Sequence, residues 1–201
     1  NTVNGANAGK AALAMNTAGD TLFNGAVGAM KALASVTTDA GGTTQINGGA
    51  VTTSGAQTYN DDVTVNTGNA TLTGTTITFN GALNSAANKA LAISGDAQFG
   101  VLVGNGTGRL GALTVSGTTD VAANANSIKT TGVQTYAGAV TLQDGNANVT
   151  FTFDASGAAD ITFGNTVNGA NAGKAALVVN TAGDTIFTDA VGATKSLASV
   201  T

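Results

Sequence analysis

The 201-residue sequence contains no cysteine, proline, tryptophan or histidine, and all eleven of its acidic residues are aspartate. Without cysteine there is no disulfide framework, thiol nucleophile or zinc-thiolate site. Without histidine there is no His-dependent catalytic triad. Helices favour Glu over Asp, whereas turns favour Asp and Asn because the short side chain can bond its own backbone, so the missing Glu argues against substantial helix. Aromatics make up 4% and charged residues 9%, which leaves few large side chains to fill a thick core. Seven cations against eleven aspartates give a net charge of −4, which makes nucleic acid a poor partner because phosphate binding needs clustered positive charge. No apolar run approaches the eighteen or so residues of a membrane helix, so no membrane insertion by this segment is expected.

What is present is repetition. Asn1–Thr37 recurs as Asn165–Thr201 with only seven differences, at Ala14/Val178, Met15/Val179, Leu22/Ile186, Asn24/Thr188, Gly25/Asp189, Met30/Thr194 and Ala32/Ser196, a period of 164 residues. Shorter echoes lie inside it. Gly19-Asp20-Thr21-Leu22-Phe23 returns as Gly95-Asp96-Ala97-Gln98-Phe99 and as Gly183-Asp184-Thr185-Ile186-Phe187, at offsets of 76 and 88. Gly55-Ala56-Gln57-Thr58-Tyr59 returns as Gly132-Val133-Gln134-Thr135-Tyr136. Residues 1–201 therefore read as one continuous repeat array, a window of a longer chain, built from imperfect units of roughly 76–88 residues.

Within each unit the apolar period is two, as in Val63 and Val65, Ile77 and Phe79, or Phe151 and Phe153. That alternation marks half-buried strands, and Asn-Gly pairs such as Asn80-Gly81 and Asn105-Gly106 mark the turns between them. Strand starts near Leu13, Leu33, Val51, Leu72, Leu91, Leu113, Ile128, Val149, Leu177 and Leu197 are mostly about twenty residues apart, with a short gap before Ile128 and a long one before Leu177. This spacing predicts an all-β fold, a parallel β-solenoid of about ten coils of roughly 20 residues. Some four coils then make a unit and eight the long period, with like residues stacked over like. An array of immunoglobulin-like sandwiches also fits the unit length, but it is disfavoured by the missing Trp, the scarce aromatics and the absence of proline at junctions.

The stretch Leu33–Val65, LASVTTDAGGTTQINGGAVTTSGAQTYNDDVTV, resembles the degenerate repeats of giant bacterial surface adhesins of the filamentous-haemagglutinin type, and weaker similarity extends over the whole chain. The resemblance implies a right-handed parallel β-helix, secreted across the outer membrane and used for adhesion, aggregation or matrix building. It implies no functional residues in the repeats, because the host- or cell-surface-binding regions of such proteins lie elsewhere.

Candidate chemistry is sparse. Asp61-Asp62 is the one adjacent acidic pair, and neighbouring strand residues point to opposite faces, so turn solvation is favoured over an acid–base dyad. Asp20, Asp96 and Asp184 are expected to be turn or cap residues, since a calcium ladder needs a nonapeptide rhythm that is missing. Thr71-Leu72-Thr73, Thr76-Ile77-Thr78 and Thr150-Phe151-Thr152 have the local pattern of an ice-binding face but are not expected to recur once per coil. Lys10 and Lys174 share one repeat position, Lys31 and Lys195 another, and such sparse Lys suits edge protection and solubility. Gly104–Arg109 lacks the Lys-Ser/Thr ending and following helix of a phosphate loop.

The expectation is a non-enzymatic structural shaft with no catalytic, cofactor or metal site, extracellular and attached to or secreted from a bacterial surface. Its partners would be neighbouring repeats and other copies in a fibre. The alternative is a solenoid face that binds carbohydrate, ice or another filament.

Overall fold

A computed structural model describes residues 2–66 and 68–201; Asn1, the head of the first long copy, and Thr67 lie outside the described residues. The chain is an all-β parallel solenoid of about nine turns, with one short 3-10 turn at Ala123–Ala125 as its helical element. Short alternating runs become strands because each turn can bury only one stripe of side chains per face. The Gly and Asn residues between runs bend the chain into the next face.

Each turn has three sides, and successive turns pair in parallel through three columns. On the first face Val3, Val27, Val51, Leu72, Ile93, Val115, Tyr136, Phe163 and Phe187 follow one another, one per turn. On the second, Leu13, Val36, Gln57, Ile77, Ala97, Thr119, Val140, Val167 and Val191 do the same. The third runs Thr21, Thr44, Val63, Leu83, Val103, Ile128, Phe153 and Val179, and closes on the pair Leu177 and Val200. A turn spans as few as 19 residues, from Thr44 to Val63, and as many as 27, from Gln134 to Ile161, the excess being extruded at corners. The core is one narrow continuous cluster from Phe23 to Leu177.

The regular strand starts read from the sequence do not mark one face. Val51, Leu72, Leu91 and Leu113 lie on the first, whereas Ile128, Val149 and Leu177 lie on the third. The short gap before Ile128 is a change of face. The long gap before Leu177 is a turn with extruded residues.

The copies of a motif also change face. The Gly-Asp motif ends in Phe23 on the third face, in Phe99 on the second and in Phe187 on the first. Gln57–Tyr59 is on the second face and Gln134–Tyr136 on the first. Counted along the three columns, every copy stands eleven sides beyond the previous one. Eleven is not a multiple of three, so a unit occupies three and two-thirds turns and each copy steps back by one face. Roughly four turns per unit are expected and three and two-thirds are found, so the side of about seven residues is the counted element, not the turn; like residues do stack over like, as Val3, Val27 and Val51 do, although copies of a motif do not.

Candidate functional site

Inside the shaft, two copies of one polar latch tie faces together. Gln57 Nε2 donates to the carbonyls of Val51 and Thr73 at 3.0 and 2.9 Å and to Thr53 Oγ1 at 3.3 Å, while its Oε1 accepts from the Tyr59 hydroxyl at 2.9 Å. Gln134 repeats this with the carbonyls of Ile128 and Asp154, Thr130 Oγ1 and the Tyr136 hydroxyl. Both glutamines are fully buried, where an unmade hydrogen bond is costly, so these contacts are structural. Burial pushes both tyrosine hydroxyls far above the ordinary phenol range, and the nearby charge of Asp61 adds to this at Tyr59. Neither ionises at any physiological pH.

The Asp61-Asp62 pair splits across the wall. Asp61 is 3% exposed and accepts from Thr38 and Thr44 hydroxyls at 2.6 and 2.7 Å. Asp62 is exposed and accepts from the Ala82 amide of the next turn. The pair is not brought together. The Gly-Asp series behaves as caps: Asp20 accepts from the Thr43 amide and hydroxyl, and Asp96 from the Thr118 amide, each one turn further along. Asp184 occupies the matching position in the third copy, where its amide donates to Asp160.

The three Thr-x-Thr stretches do not form a uniform lattice. Thr71 is followed along its column by Ala92 and Thr78 by Gln98, while Thr150 and Thr152 meet Ala176 and Val178. Two unexpected columns of three successive threonines do occur, Thr37-Thr58-Thr78 on the second face and Thr114-Thr135-Thr162 on the first. Beside the first, a shallow groove of about 290 Å³ is lined by Thr78, Gln98, Asp120 and Gln143 among others. Its polar groups are largely committed to each other, with Thr78 donating to Gln98 and Gln143 to Asp120.

The most exposed elaborations are paired loops, where two adjacent turns bulge at the same corner. In the first unit they are residues 4–11 and 28–32: Asn4 Oδ1 accepts the Met30 and Lys31 amides, and Lys31 Nζ donates to the Ala6 carbonyl at 2.7 Å. The third unit repeats the arrangement with Asn168 holding the Thr194 and Lys195 amides. In the middle unit Asn84 holds the Asn105 amide, so Gly104–Arg109 is the second loop of such a pair rather than a phosphate cradle. Gly28, Gly104 and Gly192 open these loops with φ near +70°, and at Gly28 and Gly104 a Cβ would collide with the Thr52 or Lys129 carbonyl of the neighbouring turn. Six of the seven cations sit in the loops: Lys10, Lys31, Lys89, Arg109, Lys174 and Lys195.

Two further polar sites were not legible in the sequence. Arg109 reaches across two turns to Asp154 Oδ2 at 2.8 Å and to the Thr130 carbonyl at 3.0 Å. Asp144 is covered by its own turn and by Asn171. Desolvation raises its pKa, but hydrogen bonds from the Asn171 side chain and amide and from the Asn146 amide outweigh that and hold the carboxyl below its ordinary value. Among the described residues no group of three or more potential metal ligands comes together, and no helix is long and apolar enough to cross a membrane.

No known family, curated protein or solved structure matches the chain.

Proposed function

We propose that this chain is a structural shaft, a spacer segment of a secreted bacterial surface adhesin or extracellular filament. The observation that carries the reading is the uninterrupted core, in which every turn lends its inward side chains to the turns on either side. Such a rod gains stability with every added turn and needs no indispensable residue. Its polar groups are spent on holding turns together: Gln57 and Gln134 in latches inside it, Asp20, Asp62 and Asp96 in caps at its surface. The resemblance of Leu33–Val65 to filamentous-haemagglutinin-type repeats supports the adhesin setting and an extracellular location.

The test is length against copy number. With turns about 4.8 Å apart, each added 164-residue period should lengthen the particle by about 35 Å in electron micrographs while its width stays constant. Particles that grow in all directions, as strings of collapsed domains would, refute the shaft. The alternative, a face that binds carbohydrate or another filament, has the groove along Gln98 and Asp120 in its favour.

A further inference from the structure

The paired loops and the stepping of the repeat combine into a surface pattern. In the first unit the loops occupy the edge between the first and second faces, because they lie between Val3 and Ala12 and between Val27 and Ser35. In the second they lie between Leu83 and Leu91 and between Val103 and Leu113, the edge from the third face to the first. In the third they lie between Val167 and Ala175 and between Val191 and Ser199, the edge from the second face to the third. All three edges of the prism therefore carry one basic loop pair, each a third of a revolution from the last and about 18 Å further along the axis.

Six exposed or half-buried acids lie one edge on: Asp20, Asp39 and Asp62 at the edge following the first basic pair, Asp96 beyond the second, and Asp160 and Asp184 beyond the third, whereas Asp120 stands mid-strand on the second face and Asp189 at the edge from the first face to the second. At each level a basic edge and an acidic edge thus stand side by side around the shaft. Several of these groups make hydrogen bonds within the chain, but few meet an opposite charge there. Among the described residues the single ion pair is Arg109–Asp154, which leaves Lys10, Lys31, Lys89, Lys174 and Lys195 without a carboxylate within salt-bridge distance.

We infer that the lateral partner of this surface is a second copy of the same chain, its acidic edge set against the basic loop pair of the first. The inference rests on the shaft reading. A single exposed ion pair contributes little, so each contact depends on the lysines of one loop pair and the carboxylates of the facing edge acting together. Because the basic edge turns by a third of a revolution per unit, one neighbour is met only once in every three units, about every 53 Å. Successive units therefore reach three different neighbours, so long arrays gather into three-connected bundles, not flat ribbons.

The test uses the 201-residue chain in sedimentation velocity at low and raised ionic strength. Two variants are compared with it: K10Q/K31Q/K174Q/K195Q, and D20N/D62N/D184N, in which Asn keeps the capping oxygen at positions 20 and 62. The wild type should associate at low salt, and raised salt or either variant should weaken association by about tenfold or more, with melting temperature and circular dichroism retained. A wild type that stays monomeric at low salt overturns the inference, even if it binds polyglutamate through its lysines. Association indifferent to both salt and substitution also overturns it, because pairing of open sheet ends would then be the cause. None of these results alters the length-against-copy-number outcome, so the two readings fail separately.

Discussion

The latch at Gln57 and Tyr59 and the latch at Gln134 and Tyr136 are the same device in two settings. Each glutamine holds two carbonyls, a threonine hydroxyl and a tyrosine hydroxyl, and each tyrosine starts a column of rings. Tyr59 stacks on Phe79 at 5.4 Å and Phe79 on Phe99 at 5.7 Å; Tyr136 stacks on Phe163 at 5.4 Å and Phe163 on Phe187 at 5.0 Å. Yet the first column lines the second face and the other lines the first. The difference around them is local: Phe153 packs edge-on against Tyr136 and Phe163 at 5.3 and 5.2 Å, and Arg109 braces the strand behind. The corresponding side of the earlier unit offers Leu72 instead. The first and second faces are therefore equivalent hosts for the latch, and the sequence counts sides without regard to which face each one lands on.

Removing a ring tests that comparison most strongly. Phe79→Ala and Phe163→Ala should each cost about 3–5 kcal/mol, the usual penalty for truncating a buried Phe. Phe163→Ala should be the more damaging, since Phe153 and Phe187 both rest on it as well as Tyr136. Urea unfolding of the two variants decides this, and equal losses would show that the edge-on ring adds nothing.

A smaller effect is expected from the glutamines. Gln57→Leu and Gln134→Leu each leave a buried tyrosine hydroxyl without its acceptor and remove one hydrogen bond from each of two carbonyls, at a cost of about 1–3 kcal/mol. Here the two latches should respond alike, because their hydrogen bonds match atom for atom. Hydrogen exchange at the amides of Gln57–Tyr59 and Gln134–Tyr136 reports each site separately. Protection lost at one and kept at the other would break the equivalence of the faces.

The strands, the parallel stacking and the Gln-Thr-Tyr echo were legible in the sequence because they depend on local alternation and on turn residues. The phase between repeat and turn was not. Leu113 and Ile128 both look like strand starts, and only the pairing of Leu113 with Gln134 and of Ile128 with Phe153 shows that they belong to different faces. Strand alternation places Asp61 and Asp62 on opposite sides, but the turn solvation expected of the pair is corrected for Asp61: it is buried and held by Thr38 and Thr44 of an earlier turn, which nothing local announces. Arg109 is the extreme case. Its partner Asp154 lies 45 residues away and is brought within reach only by two intervening turns, one of them long.

That pair gives the smallest and sharpest difference between the two latches. Arg109 and Asp154 have side chains 24% and 19% exposed, so water screens much of their attraction, and Arg109→Met should cost no more than about 1 kcal/mol. The loss should shrink as salt is raised, because the part that comes from the ion pair is screened while the packing of the aliphatic stem is not. The second contact, from Arg109 to the Thr130 carbonyl, is the competing explanation. Urea midpoints of the wild type and Arg109→Met at low and high salt separate the two. A salt-independent loss as large as that of Gln134→Leu would mean that Arg109 serves as an extra donor to the second latch's strand, and that the two latches differ in their hydrogen bonding and not only in their surroundings.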